Sequence, residues 1–460
     1  MCLVLQKGIN VITTPIFTRL LGAENYGEFN LFISWQTMIS VFATMNLTAG
    51  VYTQGLVKFE DRRYEFSAAM QGLSLCWITM FFGIYLAGRN FFNALFSLNS
   101  YEMIAMFVMM WTYGIFGFWS AEQRVDYAYR TLVVVTIIVS LAKPLAGIYA
   151  VRHFEDQVTA RIVSMALVQL IFFTPLIAGK FKLHKPFFSK AIWKYAILFN
   201  LPLIPHYISQ TVLNKADILM IGKYVGADKA GIYSLAYSLA MLLLIVNTAM
   251  IQTLTPWIYR KIRDREIDDI AHIAYMAMIF IAFLNILLIA FAPEIIRIFA
   301  PPEFKEAIWV IPPIAMSGLF IFSYDLFSAY QFYFEKTFFV MIASIVGAAV
   351  NVVLNYIFIP KFGYVAAGYT TLVCYILYAV GHYLFMNRVC RVEFKDQKPY
   401  NIRILLKIYG CFIGTGIGIM MTYKAFLVRL ALIGLLGILS ILKREKLMEF
   451  IKKMRSMGKK

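Results

Sequence analysis

Apolar stretches dominate the chain and follow one another with only short polar breaks. About fourteen of them, each of roughly 17–25 residues, recur along the 460 residues. A helix needs about 20 apolar residues to cross the hydrocarbon core of a bilayer. The pattern therefore predicts an all-α polytopic membrane protein with about 14 transmembrane helices. The predicted spans are 1–19, 28–56, 66–88, 102–121, 131–151, 158–178, 196–222, 231–256, 272–299, 307–334, 337–359, 363–387, 403–422 and 425–442.

The basic residues indicate how these spans are oriented. Every second loop, together with the tail, carries 28 of the 43 Lys and Arg residues, whereas the alternate loops carry 9. Cytoplasmic loops are the ones enriched in Lys and Arg. The bias therefore places both termini in the cytoplasm, which requires an even number of spans. It also accounts for the net charge of +18 without nucleic-acid binding. We expect the tail at 443–460 to lie on anionic lipid instead.

Composition and loop length exclude most soluble functions. The chain is 61% hydrophobic and 15% charged. No polar break reaches the roughly 50 residues of a small domain. The five cysteines are scattered without metal-ligand spacing, and no phosphate-binding GxxxxGK[ST] motif occurs. We therefore expect no cofactor, no metal site and no enzymatic activity. No cleavable signal peptide is predicted, and the short first span leaves open whether the natural chain begins upstream of Met1.

One short motif occurs twice. The sequence LGAENYGEFNL at 21–31 returns as VGADKAGIYSL at 225–235, an offset of 204 residues. Six predicted spans separate the copies, so the two halves share one orientation. Glycines in both copies can supply the positive φ or the close approach that a tight interhelical turn needs. Parallel repeats place a transport path at their interface. The expected division is a six-helix lobe at 1–180, a second at 190–390, two additional helices at 400–442 and a basic cytoplasmic tail at 443–460.

Three motifs carry a resemblance to a known family. They are TPIFTRLLG at 14–22, ADILMIG at 216–222 and NYIFIPKFG at 355–363. In this order, on a chain with this many spans, they resemble the Wzx-type polysaccharide flippases of the multidrug/oligosaccharidyl-lipid/polysaccharide (MOP) exporter superfamily. The short first span departs from the family pattern, and none of the motifs identifies the sugar.

The resemblance implies a fold and a function. The fold is two pseudo-symmetric six-helix lobes that form a V around a central cavity, followed by two C-terminal helices. The function is to move undecaprenyl-diphosphate-linked oligosaccharide repeat units across the bacterial inner membrane, for O-antigen, lipopolysaccharide or capsule synthesis. Transport is by alternating access and is coupled to an ion gradient. The implied partners are the lipid-linked oligosaccharide, the bilayer, and polysaccharide polymerase and chain-length proteins.

The seventh span is the most polar of the chain. Its polar residues fall within about half of the helix circumference at ~100° per residue. They form either a cavity wall or hydrogen-bonded contacts with neighbouring helices. We favour the cavity because the stripe includes both a Lys and an Asp. The candidates for substrate contact are Tyr207, Gln210, Asn214 and Lys215, and Asp217 is a candidate for ion coupling or a structural ion pair.

Other spans contribute single candidates. Lys143 is a candidate cavity cation for a diphosphate, because charged groups inside a bilayer are rare and functional. Arg19 contacts either substrate or lipid headgroups. Gln36, with Ser40 and Thr44, lines the cavity or packs against another helix. Asp325 is a second ion-coupling candidate, and Arg161 is expected to snorkel to the interface.

Two rival functions remain from the sequence. A cation-coupled multidrug exporter of the same superfamily would use acidic residues to attract cationic drugs, and the predicted lysines fit an anionic diphosphate better. A membrane polymerase or ligase would carry a large periplasmic loop, which the predicted topology lacks.

Overall fold

The structure is a computed structural model that describes residues 2–48, 50–177, 187–394 and 398–442. Helices account for nearly all of these residues, and no strand occurs among them. The chain forms two compact units, Met1–Gly231 and Ile232–Lys460. The tail predicted at 443–460 lies outside the described ranges.

Membrane crossing by helices is confirmed. Ten helices in the described part of the chain are long and apolar enough to cross a bilayer. They correspond to predicted spans three to six and eight to thirteen. Predicted spans one, two, seven and fourteen are not among these ten helices. The all-α polytopic class predicted from the sequence therefore holds.

The first unit contains nine complete helices in its described residues and the start of a tenth. The seventh predicted span is interrupted by a single 3₁₀ turn, Leu201–Leu203, which contains Pro202. Proline lacks the backbone N–H that a continuous helix needs. The helices are α1 (Cys2–Ala43), α2 (Val51–Lys58), α3 (Arg63–Ala87), α4 (Arg89–Phe96), α5 (Ser100–Val125), α6 (Tyr129–His153), α7 (Gln157–Phe173), α8 (Lys190–Asn200), α9 (Ile204–Tyr224) and α10 (Ala227–Ala240).

The boundaries predicted for the first two spans are wrong. Helix α1 runs through the predicted connection with only a sharp bend at Gly22, where φ is 69° and ψ is −178°. Glycine adopts this conformation without steric cost, so one residue replaces a loop. The predicted second span, 28–56, is instead interrupted after Ala43 by a turn in which Met45 and Asn46 have positive φ.

The two copies of the repeated motif meet at a close helix crossing within the first unit. A Cβ at Gly27 would lie 1.7 Å from the Ala227 carbonyl oxygen, and a Cβ at Gly231 would lie 2.2 Å from the Ala23 carbonyl oxygen. Each contact joins the second glycine of one copy to the alanine of the other, so the contacts are reciprocal. Only glycine permits this backbone approach. The repeat predicted from the sequence is thus also a repeat in structure.

The second unit repeats the helix order of the first. Helix α12 begins 204 residues after α3, and each is followed by an eight-residue helix, α13 or α4. A long helix comes next in both units. The elements of the second unit are α11 (Leu244–Arg263), α12 (Ile267–Ala290), α13 (Ala292–Phe299), α14 (Ile311–Tyr333), α15 (Thr337–Phe362), α16 (Val365–Glu393), α17 (Ile402–Met421) and α18 (Phe426–Leu442).

Buried amides and hydroxyls join α15 to α16. Asn355 Nδ2 donates to Asn351 Oδ1 at 3.2 Å, and Thr370 Oγ1 donates to Asn355 Oδ1. Asn351 Nδ2 reaches Thr371 Oγ1 at 3.5 Å. All four side chains are buried. Polar contacts of this kind hold helices together where the surrounding lipid is as apolar as the helices themselves.

Candidate functional site

A cavity with both polar and apolar residues in its wall opens inside the first unit. Its volume is about 380 Å³, which lies within the range of small-molecule sites. Helices α1, α3, α5, α6 and α7 contribute to its wall, together with the turn after α1. Two of the predicted site residues, Gln36 and Lys143, line it. The other polar residues in its wall are Thr37, Ser40, Thr44, Asn46, Thr48, Ser74, Tyr113 and Gln169.

Hydroxyl groups on one face of α1 present hydrogen-bond acceptors to this cavity. Thr37 Oγ1 donates to the Ile33 carbonyl, Ser40 Oγ to the Thr37 carbonyl and Thr44 Oγ1 to the Ser40 carbonyl, each at 2.7 Å. A hydroxyl has one donor and two acceptor positions. With the donors committed to backbone carbonyls, each oxygen keeps acceptor capacity, although Thr44 Oγ1 already accepts from the Asn46 backbone N–H at 3.2 Å. Such a wall suits a ligand that is rich in hydroxyl donors.

Lys143 supplies the charge of the cavity. Among the lining residues in the described part of the chain, its ammonium is the one charged group. With the Gln169 amide oriented to satisfy its neighbours, the amide oxygen accepts from Lys143 Nζ at 3.0 Å. The amide nitrogen then donates to Thr112 Oγ1 at 3.2 Å and to the Met109 carbonyl at 3.3 Å. Neutral groups therefore fix the ammonium without neutralising it, which leaves a cation suited to an anionic ligand.

The candidates on the seventh span lie elsewhere in the first unit. Helix α9 packs along α1, and its four predicted substrate contacts are not among the cavity-lining residues. Tyr207, Gln210 and Lys215 are half-buried, whereas Asn214 is exposed and donates to the Gln210 carbonyl at 2.7 Å. Their role in substrate contact stays a prediction.

The remaining candidates occupy different surroundings. Arg19 is exposed and donates from Nη1 to the Pro15 carbonyl at 2.9 Å. Asp217 is 1% exposed. The third, Asp325, belongs to the second unit, where it is half-buried and hydrogen bonded to Tyr324. Ion coupling by the two carboxylates stays a prediction.

Tyr324 belongs to a cluster of rings around a buried histidine. Its ring centroid lies 4.7 Å from that of Tyr378 and 5.6 Å from that of His382. Tyr378 shares a hydrogen bond of 2.8 Å with Ser344. His382 Nδ1 lies 2.9 Å from Gln331 Oε1. The predicted carboxylate therefore stands beside a polar cluster that the sequence pattern did not indicate.

The interfacial position expected for Arg161 is wrong. The side chain is 8% exposed, and its guanidinium carbon lies 3.7 Å from the Phe17 ring centroid and 3.5 Å from that of Phe29. Aromatic faces attract the cation and hold it inside the unit. A snorkelling side chain would extend its charge into solvent, whereas this guanidinium is buried between two rings.

Near the end of α5, the carboxylate of Glu122 is buried with two hydroxyl groups, which the sequence did not predict. Glu122 Oε1 accepts from the Tyr52 hydroxyl at 2.5 Å and from Ser67 Oγ at 2.6 Å. All three side chains are buried. Glu122 stands next to a charged loop in the sequence, so it reads as a surface residue. Only the turn after α1, which brings Tyr52 against α5, reveals the contact.

The fold is that of a multi-pass helical membrane protein, and comparison with known proteins shows its family. A family model described as polysaccharide biosynthesis protein matches residues 1–262, more than half of the chain. The chain therefore belongs to this family, and the resemblance to MOP superfamily flippases is confirmed. A second model, MatE, matches residues 202–357.

One curated relative has low sequence identity to this chain. A protein of the Lsg locus of Haemophilus influenzae is 22% identical over 286 residues, and the match covers 57% of this chain and 64% of that protein. The match thus spans less than two thirds of the relative's length.

Solved structures share the fold. A lipid II flippase, MurJ, in an inward closed conformation aligns with a TM-score of 0.68 at 14% identity, over 97% of this chain and 98% of that chain. An inward-facing multidrug resistance transporter of the MATE family aligns with a TM-score of 0.65 at 14% identity, over 85% and 96% of the two chains.

Proposed function

We propose that the protein is a flippase for undecaprenyl-diphosphate-linked oligosaccharide repeat units. It moves them from the cytoplasmic to the periplasmic face of the bacterial inner membrane, where they serve the synthesis of O-antigen, lipopolysaccharide or capsule. The observation that carries the proposal is the cavity of the first unit. It combines the Lys143 cation with a wall of hydroxyl and amide groups, which are the groups that a sugar diphosphate needs.

Lys143 and Gln36 are the proposed contacts inside this cavity. The proposed route also includes Arg19, Tyr207, Gln210, Asn214 and Lys215. Transport proceeds by alternating access. The polymerase and the chain-length proteins that act on the periplasmic product are the proposed partners.

An ion gradient drives the cycle in this proposal. Asp217 and Asp325 are its coupling carboxylates, because a carboxyl group inside a membrane protein is costly unless it is paired or serves transport. Asp217 is buried and Asp325 is half-buried.

A multidrug exporter is the second candidate, since a MATE family transporter shares the fold. The charge of the cavity separates the two. A cationic drug would meet the Lys143 ammonium, and in the described part of the chain no carboxylate stands among the lining residues. Like charges in a low-dielectric site repel. The cavity therefore favours an anionic ligand.

Reconstitution of the full chain into liposomes tests the proposal. A fluorescent diphosphate-linked oligosaccharide is placed in both leaflets, and an impermeant glycosidase is added outside. We expect vesicles with the protein to expose nearly all of the sugar, whereas protein-free vesicles protect about half. Equal protection in both, together with accumulation of a cationic dye, would contradict the flippase and support the exporter.

A further inference from the structure

Arg161 is buried in an arrangement that leaves part of its hydrogen-bonding capacity unused. The guanidinium lies between the rings of Phe17 and Phe29. Its Nε and Nη1 atoms are buried and have no hydrogen-bond partner among the described residues. Ring faces attract the positive charge but do not accept hydrogen bonds in the guanidinium plane. A buried charge whose N–H groups have no acceptor is unfavourable. In this conformation Arg161 therefore lacks acceptors for Nε and Nη1.

The arginine is aligned with the cavity along one face of α7. Arg161, Met165 and Gln169 recur every four residues, and the latter two line the cavity. Eight residues of helix correspond to about 12 Å along the axis. On the neighbouring helix, a Cβ at Gly147 would come 3.1 Å from Phe17 and 3.7 Å from Arg161 Cγ. Gly147 is one turn from Lys143. The α6–α7 pair therefore carries two cations, Lys143 in the cavity wall and Arg161 between the two rings.

The two rings come from opposite sides of the bend in α1. Phe17 precedes Gly22 and Phe29 follows it. A change of the bend at Gly22 would therefore alter the distance between the rings, because each moves with its own half of the helix. Both rings are nearly buried, at 4% and 7% exposure. In the present conformation the two rings enclose the guanidinium within the first unit.

We propose that Arg161 is a second anion-binding station for a phosphate or diphosphate group, reached from Lys143 when Phe17 and Phe29 separate. Planar N–H pairs of arginine bind phosphate oxygens in a bidentate manner. Two stations along one helix pair allow the charged group to pass from one cation to the other without entering apolar surroundings unpaired. The inference rests on the proposed function and extends it to a stepwise path for the phosphate.

Binding measurements on the full chain in nanodiscs test the station. The probes are inorganic pyrophosphate and undecaprenyl diphosphate, which separate a free phosphate from a lipid headgroup. We expect Arg161→Gln to weaken binding of at least one probe about tenfold, as loss of a charge-assisted contact does. Arg152→Gln, an exposed site at the end of α6, is the matched control and is expected to leave both affinities unchanged.

If Arg161→Gln does not fold, replacing either phenylalanine by leucine provides a second test. Phe17→Leu and Phe29→Leu release the guanidinium from the aromatic faces, so we expect each to tighten probe binding about threefold. A purely structural arginine would give a less stable protein with no gain in affinity. That result, or unchanged affinity in a folded Arg161→Gln variant, would overturn the station.

Lys143→Gln separates failure of this inference from failure of the proposed function. If the wild type binds and Lys143→Gln loses binding while Arg161→Gln does not, the second station is wrong and the cavity remains. If the wild type binds neither probe, both the station and the diphosphate function are contradicted. Arg161-dependent binding of pyrophosphate alone identifies a free phosphate as the ligand, whereas binding of the lipid alone identifies the headgroup.

Discussion

Lys143 is the residue on which the proposed chemistry depends most. It stands on an apolar helix, half-buried, with an amide oxygen at 3.0 Å and the Phe173 ring centroid at 5.8 Å. Neither neighbour carries a negative charge. The protein bears the cost of holding this cation in the membrane without a carboxylate beside it in the cavity wall. A ligand that brings its own negative charge accounts for such an arrangement.

Loss of this charge is expected to impair transport without loss of the protein. We predict that Lys143→Gln lowers surface polysaccharide about tenfold, because one charge-assisted contact is removed from the cavity. The protein level in the membrane should stay normal, as measured by immunoblot of the same cells. Lys190→Gln, at an exposed site at the start of α8, serves as the control. Normal polymer in the Lys143 variant would remove this residue from the binding site.

Polar residues in apolar spans predicted some of the cavity-lining residues but not all of them. Lys143 was found because a cation inside a predicted span is rare, and Gln36 because polar residues recur every four positions. Gln169 was missed, since a single amide in an apolar span does not stand out until α5 and α6 are known to face it. Arg161 was misplaced because the sequence gives no sign that two phenylalanines from a bent helix enclose it.

Helix α1 makes close contacts with α9 and with the start of α10. Leu31 lies close to Gly222 on α9, where a Cβ would come 2.4 Å from its side chain. The reciprocal contacts of Gly27 and Gly231 leave no space for a side chain between the backbones of α1 and α10. The repeated motif is therefore explained by packing, as well as by the bend at Gly22.

A single methyl group at this crossing is expected to destabilise the protein. We predict that Gly27→Ala lowers the free energy of unfolding by about 1–3 kcal/mol, the usual cost of overpacking. Thermal unfolding in detergent measures the change. Gly83→Ala is the control, because a Cβ there meets nothing within 4 Å. Equal unfolding temperatures for the two variants would show that the crossing can adjust.

The amides between α15 and α16 give a second test of helix packing. Replacing Asn355 by leucine removes its bonds to Asn351 and Thr370, so we expect a loss of about 1–2 kcal/mol, near the upper end for membrane hydrogen bonds. Val353→Leu is the control, because Val353 is 54% exposed. Chemical unfolding in mild detergent compares them. A variant as stable as the control would mean that packing alone holds these helices.

Helix positions were more predictable than helix ends. The apolar stretches located the ten helices that can cross a bilayer, because length and hydrophobicity decide that property locally. The connection between the first two spans was not predictable in the same way. A glycine can end a helix, continue it or bend it, and the sequence around Gly22 does not decide among these outcomes.

Across the chain as a whole, the internal repeat links sequence to architecture. One motif pair suggested two related halves, and the structure repeats the helix order with an eight-residue helix at the equivalent place in each unit. The identity of the transported molecule cannot be predicted from the repeat or from the fold. It depends on the few polar residues of the cavity, whose grouping exists only once five helices are assembled.

Deletion of the gene in its host, followed by analysis of lipid-linked sugars on each face of the membrane, tests the flippase most directly. We predict loss of surface polysaccharide, with single undecaprenyl-linked repeat units accumulating on the cytoplasmic face. Accumulation on the periplasmic face would contradict the account, because transport would be intact and polymerisation lost. Intact polymer with new sensitivity to cationic drugs would contradict it in favour of a multidrug exporter.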